Sequence, residues 1–263
     1  MSLMPRPVAL ITGPTSGIGA GYARRYARDG YDLVLVARDV DRLKQLAEEL
    51  QDPAGGAGQI EVLPADLADP ADRAKVVDRL AAGVRVLVNN AGFGTFGEFW
   101  TADPDVLQKQ LDVNVTAVMH LTRAALPAML DAGAGTVINI ASVAGLVPGR
   151  GSTYSASKAW VISFTEGLAG GLAGTGVSVH AVCPGFVHTE FHARAGIDKP
   201  KVPSFMWLEV DDVVSESLAE IARGKLIIIP SLQYKAVVTA GRLIPRNLVR
   251  AATRRIGGGR GRT

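Results

Sequence analysis

The seventeen residues from Ser142 to Lys158, SVAGLVPGRGSTYSASK, place a hydroxyl, a phenol and an ammonium close together in the chain. Tyr154 and Lys158 are four apart, at the head of a stretch, SASKAWVISFTEGLA, with few helix breakers. On a helix, residues four apart share a face one turn apart. A lysine in that position can hold its charge beside the phenol, and a nearby cation favours phenolate over phenol. Ser142 closes an apolar run, TVINIAS, that reads as a strand, and a strand end is a rigid place from which to aim a hydroxyl. The three groups suit proton transfer to or from an oxygen, with the serine holding the same oxygen. The Tyr–Lys pair alone would equally fit a solvated helix face, so its meaning depends on the elements around it.

Those elements alternate. PVALIT is a short apolar run stopped by glycine, and GYARRYARDG after it has an amphipathic helical pattern. YDLVLVA, IEVLPAD, VRVLVNNAG, TVINIAS, VSVHAVCPG and KLIIIPS are six further strand candidates. Between them lie the helical stretches DRLKQLAEEL, ADRAKVVDRLAAG, a long region from about Pro104 to Leu130, the helix carrying Tyr154, and VDDVVSESLAEIARG. Strands alternating with helices require crossover connections, hence a mainly parallel sheet of seven strands covered on both faces, a Rossmann-like doubly wound α/β fold. Ligands on such sheets sit beyond the carboxyl ends of the strands. Gly13, Arg38, Asp66, Asn89 and Ser142 all fall at or just past such ends and would line one edge.

Gly13, Gly17 and Gly19 in TGPTSGIG lie between the first strand and the first helix. Glycines there let the backbone approach a pyrophosphate and offer it the free N–H groups of the helix, although a tight turn would use them too. The second strand ends at Ala37–Arg38, where an acid would bind a ribose 2′-hydroxyl and an arginine fits a 2′-phosphate. Arg38 therefore points to NADP(H), with NAD(H) as the alternative should Asp39 turn inward.

TGPTSGIG, NNAG at Asn89 to Gly92, Asn114 within LDVNV, Ser142, Tyr154-x-x-x-Lys158 and Pro184–Gly185 stand in the order and spacing of the short-chain dehydrogenase/reductase family. The resemblance runs from Pro7 to Ile229. Pro14 departs from it, where a small residue is usual, as does Ala141, where a second serine is frequent. The resemblance implies that Tyr154 is general acid in reduction and base in oxidation. It implies that Lys158 lowers the phenol's pKa and bonds the nicotinamide ribose, that Ser142 holds the carbonyl oxygen, and that Asn114 supports a proton-relaying water. Gly13, Thr15, Ser16, Gly17, Ile18 and Gly19 would form the phosphate turn, Asp66 and Leu67 would flank adenine, and Asn89, Ala91 and Gly92 would shape the cofactor floor. Pro184, Gly185, Val187 and Thr189 would meet the nicotinamide end. The implied activity is NADP(H)-dependent interconversion of a ketone or aldehyde with an alcohol, and family members commonly form dimers or tetramers. A 3-oxoacyl thioester reductase and an NAD-linked alcohol dehydrogenase are rivals within the same chemistry. A nucleotide-sensing binding protein is the rival outside it, but proteins of that kind usually lose the tyrosine or lysine, and here Asn114, Ser142, Tyr154 and Lys158 are all present.

The whole chain fits this class. Its 263 residues read as a single domain, 1–263, with no proline-rich, serine-rich or like-charged linker. Hydrophobic residues are 48% and charged residues 20%, as in packed soluble proteins. No apolar run approaches the ~18 residues of a membrane span, MSLMPRP has no signal-like apolar region, and Cys183 is the lone cysteine, so a cytoplasmic location is expected. Neither a metal-ligand cluster nor a nucleic-acid partner is expected. Of the four histidines only His188 and His192 share a plausible site, and His180 and Cys183 read as packing residues in a strand.

A substrate lid is expected at about 188–210. Phe186, Phe191, Phe205, Met206 and Trp207 there, with Phe93, Phe96, Phe99 and Trp100 after NNAG, suit a bulky apolar substrate, or else helix packing or a subunit contact. From Gly224 onward there is no Asp or Glu but nine Lys or Arg, so the net charge of +3 conceals a basic end. Solvated decoration is the favoured reading of that end, and contact with an anionic membrane surface the less favoured. The extension at about 231–263 has apolar residues at roughly helical spacing, which suits packing over the pocket, a dimer contact or a membrane surface.

Overall fold

The computed structural model describes residues 6–51, 58–95, 98–147, 152–191 and 203–243. Phe96, His192 and residues 244–263 of the basic end lie outside them. Within the described residues, strands and helices alternate: β1 (Val8–Thr12), α1 (Gly17–Arg28), β2 (Asp32–Ala37), α2 (Val40–Gln51), β3 (Ile60–Pro64), α3 (Pro70–Ala81) and β4 (Val86–Asn89). Then follow α4 (Pro104–Leu111), a π-helical turn (Asp112–Ala117), α5 (Val118–Asp131), β5 (Gly135–Ile140), α6 (Ser152–Gly171) and β6 (Val177–Val182). The chain continues through β7 (Phe186–Val187), β8 (Trp207–Leu208), α7 (Val210–Ala222), β9 (Ile227–Ile228) and α8 (Leu232–Leu243).

Seven strands form one sheet in the order β3-β2-β1-β4-β5-β6-β9, every neighbouring pair parallel. The chain winds outward from β1 to β3, returns to pair β4 on the other side of β1, and so reverses its winding direction at the β1–β4 boundary. Such a reversal leaves a crevice above the carboxyl ends of the two strands. Both faces of the sheet are buried, so the strands read as apolar runs. Leu33, Leu35, Val86 and Val88 pack beneath α1 and α2 on one face, while Leu10, Val34, Leu87 and Val137 meet α3 and α5 on the other. Asp69 begins α3 by accepting from Ala71 N and Asp72 N, with Pro70 supplying a preset φ, and Asp103–Pro104 begins α4 in the same way.

Two features differ from the sequence reading. The long helical region from Pro104 to Leu130 is interrupted by the π turn at Asp112–Ala117, which widens one turn where Asn114 stands. The run KLIIIPS contributes only Ile227–Ile228 to the sheet, because its register against β6 covers Ala181 and Val182 alone. A separate two-stranded parallel ribbon pairs Phe186 with Trp207 and Val187 with Leu208, clamping the ends of the expected lid segment. Among the described residues no helix is long and apolar enough to cross a membrane.

Candidate active site

At the β1–β4 crevice, two residues hold the strand ends together. Thr12 Oγ1 accepts from Asn90 N and Ala91 N, each at 3.0 Å, and Asn90 Nδ2 donates to Thr12 O and Gly13 O, each at 2.9 Å. Gly13 (φ 64°) and Gly17 (φ 56°) are both left-handed, which favours glycine. A Cβ on Gly17 would stand 2.9 Å from Thr189 Cγ2, so Thr189 lies directly over the turn. Ser16 is the N-cap of α1 but makes no side-chain cap bond, and no acid occupies the helix's first turn. The first-turn N–H groups therefore face the crevice without a side-chain competitor, an arrangement that fits a bound phosphate. A cavity of about 1000 Å³ borders the glycine turn at Thr15–Gly17 and runs outward between α1, α2 and the start of α7, past Arg24, Arg42 and Asp211, without reaching Ser142, Tyr154 or Lys158. Ile18, in the same turn, is partly buried and packs against the core.

At the end of β2, Arg38 is exposed. Asp39 Oδ1 accepts from Arg42 N at 3.0 Å and closes the first turn of α2. Arg42 also reaches Glu190 Oε2 at 2.9 Å. Beyond β3, Asp66 Oδ1 accepts from Ala68 N, Asp66 N donates to Asp72 Oδ2, and the buried Arg73 donates to Leu67 O at 2.7 Å. Leu67's side chain lies in the core, so only its backbone is at the edge.

Lys158 is 5% exposed, and its Nζ donates to Ile140 O at 2.7 Å. Burial of the charge pushes its pKa down to about 8. The same Nζ lies 5.8 Å from the centroid of the Tyr154 ring. The pair is thus on one side of the helix, as the spacing required. A Cβ on Gly92 would be 3.0 Å from Asn114 Oδ1 and 3.3 Å from Lys158 Nζ, so these three residues converge. Asn114 is fully buried, and its amide is committed to two neighbours. Oδ1 accepts from Phe93 N (3.1 Å), and Nδ2 donates to Phe93 O (3.0 Å) and Ser157 Oγ (3.2 Å). Ser142 Oγ accepts from Ala144 N at 3.1 Å, which leaves its proton able to serve a second acceptor.

The wall beside Tyr154 is apolar. The Phe191 ring is 5.6 Å from the Tyr154 ring, and a Cβ on Gly94 would lie 3.6 Å from Tyr154 Cδ2. Pro184 O accepts from Val143 N, which fixes the β6 exit beside Ser142, while the Val187 side chain is buried against Leu208 and Tyr234. Phe99 and Trp100 are 53% and 79% exposed on a short 3₁₀ turn.

The Asn89 side chain is buried and committed to its neighbours. Leu87 and Asn89 alternate onto the same face of β4, and Asn89 Nδ2 donates to Thr122 Oγ1 (3.0 Å) and Asn139 Oδ1 (2.9 Å). Asn139 continues to Thr165 Oγ1 on α6, a buried polar chain beneath the site. Thr12 and Asn90, which sew the crevice, escaped the sequence reading. The NNAG repeat of asparagine was the available clue, since consecutive strand residues face opposite ways. His180 is buried and its Nδ1 donates to Lys225 O at 2.7 Å, and Cys183 is buried as well, both as expected of packing residues. His188 stacks on Trp207 at 4.8 Å, with Nε2 3.8 Å from Glu209 Oε1.

A family model described as short chain dehydrogenase matches residues 7–199. Sulfoacetaldehyde reductase 2 of Chromohalobacter salexigens is 36% identical over 222 residues, 81% of this chain and 86% of that protein. The structure of a short-chain dehydrogenase from Sphingobium yanoikuyae in complex with NADPH superposes with a TM-score of 0.81 at 41% identity, covering 89% of this chain and 93% of that one. The bulky-bulky ketone specific alcohol dehydrogenase from Comamonas testosteroni has a TM-score of 0.75 at 31% identity, with 97% and 94% covered.

Proposed function

The chain belongs to the short-chain dehydrogenase family and is an oxidoreductase of the CH–OH/C=O couple; on that premise we propose a reductase that prefers NADPH and takes ketones or aldehydes with bulky apolar substituents. The observation that carries the proposal is the buried Lys158 ammonium beside the Tyr154 ring, at the carboxyl edge that also carries the glycine turn. The first-turn N–H groups of α1 and Thr189 above Gly17 would hold the pyrophosphate, Arg38 a 2′-phosphate, and the Asp66–Leu67 backbone the adenine. Asp39 is partly engaged in starting α2, with Oδ1 bonded to Arg42 N and Oδ2 3.7 Å from Arg42 Nε, which supports NADPH over NADH.

When bound, the reduced nicotinamide supplies hydride to the carbonyl carbon. Tyr154 supplies the proton to the carbonyl oxygen. An ordinary phenol, with a pKa of about 10, holds its proton too tightly to exchange it freely at neutral pH. The Lys158 ammonium favours the phenolate and so eases the transfer. With its own pKa pushed down to about 8, Lys158 keeps its charge at neutral pH and loses it in mildly alkaline solution. Ser142 spends its oxygen on Ala144 N and directs its proton at the carbonyl oxygen, where negative charge grows as the carbon is reduced. Asn114 acts through its neighbours: by fixing Phe93 and Ser157 it holds the walls on either side of Lys158. Phe191 beside Tyr154 supports an apolar substituent on the substrate. Assembly as a homo-oligomer, dimer or tetramer, belongs to the same reading, and light-scattering mass is its test.

The function is tested by titrating the protein with NADPH and NADH, following tryptophan fluorescence, and then by NADPH consumption over a carbonyl panel from acetone to diaryl ketones. Tighter NADPH binding and turnover confined to the larger apolar carbonyls are expected. Equal or tighter binding of NADH would remove the argument from Arg38 and Asp39.

A further inference from the structure

Tyr234, on the face of α8 turned to the site, is 2% exposed and has no part in the chemistry above. Its ring fills the space where a side chain at position 185 would be: a Cβ built on Gly185 would stand 1.9 Å from Tyr234 Cζ. Gly185 is therefore glycine because an aromatic ring from another element lies against its backbone. The phenol oxygen accepts from Phe186 N at 2.9 Å and donates to Met206 O at 2.8 Å. One side chain thus ties the residue that opens β7 to the residue just before β8, and these strands bracket the segment over the glycine turn.

The same helix face reaches the other half of the site. Gly241 is seven residues on, two turns along the face, and a Cβ there would be 2.9 Å from Val147 Cγ1, in the segment that follows Ser142. Pro184 O accepts from Val143 N, so the strand end that Tyr234 presses on is bonded to the residue next to Ser142. α8 is itself held: Glu216 on α7 accepts from Ser231 N and from Lys235 Nζ, each at 2.8 Å. The contacts run from α7 through α8 to Gly185, Phe186 and Ser142 without a gap.

We propose that Tyr234 is a positioning residue that sets the backbone of Gly185–Val187 at the nicotinamide end relative to Ser142. The inference rests on the NADPH reading above, and Tyr234 touches neither cofactor nor substrate in it. Replacing the phenol by phenylalanine keeps the ring against Gly185 and removes both hydrogen bonds. Phe186 N and Met206 O then lose their partner, and the ribbon loses its tie.

The test compares wild type, Tyr234→Phe and Gly185→Ala by amide hydrogen exchange and by NADPH titration. In Tyr234→Phe, exchange of the Phe186 amide should accelerate by about tenfold while the amides of β1, β4 and β5 keep their wild-type rates. The NADPH Kd should rise about 3- to 10-fold, because the Gly185–Val187 backbone is no longer held in place, and the thermal midpoint should fall by a few degrees, because Phe186 N and Met206 O lose their partner. Gly185→Ala, which forces the ring away, should raise the Kd in the same direction. An unchanged Kd in Tyr234→Phe, whether or not Phe186 exchanges faster, would overturn the proposal and leave Tyr234 a structural tie. That result, with wild type binding NADPH normally, would leave the proposed function standing; failure of wild type to bind either dinucleotide would instead refute the function and this inference with it.

Discussion

Lys158→Met separates the lysine's cost to the fold from its use in the reaction. Lys158 is enclosed, and burial takes its pKa from the ordinary 10.5 down to about 8. Between those values the unfolded chain binds more protons than the folded one, so stability rises with pH across that window. Below about pH 8 both states are protonated and the folded state carries the full penalty of a buried charge, about 3 kcal/mol. Wild type should therefore gain about 2 kcal/mol between about pH 7 and about pH 9.5 relative to Lys158→Met, whose methionine has nothing to titrate. The assay is urea unfolding of both proteins at the two pH values. Subtracting the mutant's profile cancels the other titrating groups, including Tyr22 and Tyr26, whose pKa values burial raises in both proteins. Parallel profiles would refute the burial of a charged Lys158. In the same variant turnover should fall by about 10²-fold or more, because the phenol loses its cation.

Three further outcomes follow from the site. Arg38→Asp should raise the KM for NADPH by about 10-fold or more while sparing NADH, by removal of one charge-assisted contact; unchanged selectivity in steady-state kinetics would count against the 2′-phosphate role. Ser142→Ala should lower kcat by about 10²-fold with the substrate KM nearly constant, since its hydrogen bond strengthens only as charge grows on oxygen; a pure KM effect would refute that role. Gly17→Val should abolish dinucleotide binding in fluorescence titration, because a side chain there meets Thr189 on a backbone at φ 56°; near-normal binding would show that the turn is not the phosphate site.

The sheet and the Tyr154–Lys158 pair were legible in the sequence because both follow from short-range periodicity. Buried parallel strands are continuous apolar runs, and a spacing of four on a helix sets one face. What escaped needed partners distant in the chain. The π turn at Asp112–Ala117 leaves the helical pattern on either side intact, so nothing local marks it. The β7–β8 ribbon has two residues per strand, too few for alternation to register. Asn89 and Asn90 are adjacent and chemically identical. The alternation of β4 sends Asn89 into the polar chain with Asn139 and Thr165, and Asn90 bonds the β1 end at Thr12 and Gly13. Asp39 could serve ribose or helix from its position alone; its bond from Arg42 N shows the helix role. Tyr234 reads as one apolar position among several in LQYKAVVTAGRL until Gly185 is found beneath its ring.

The most direct test of proton transfer by Tyr154 is a single-turnover measurement of NADPH oxidation with a bulky aryl ketone, comparing wild type with Tyr154→Phe after both are shown to bind NADPH equally. The phenol-donor mechanism requires the first-order rate to fall by about 10²- to 10⁴-fold with binding intact. A Tyr154→Phe protein that oxidises NADPH at close to the wild-type rate would contradict it.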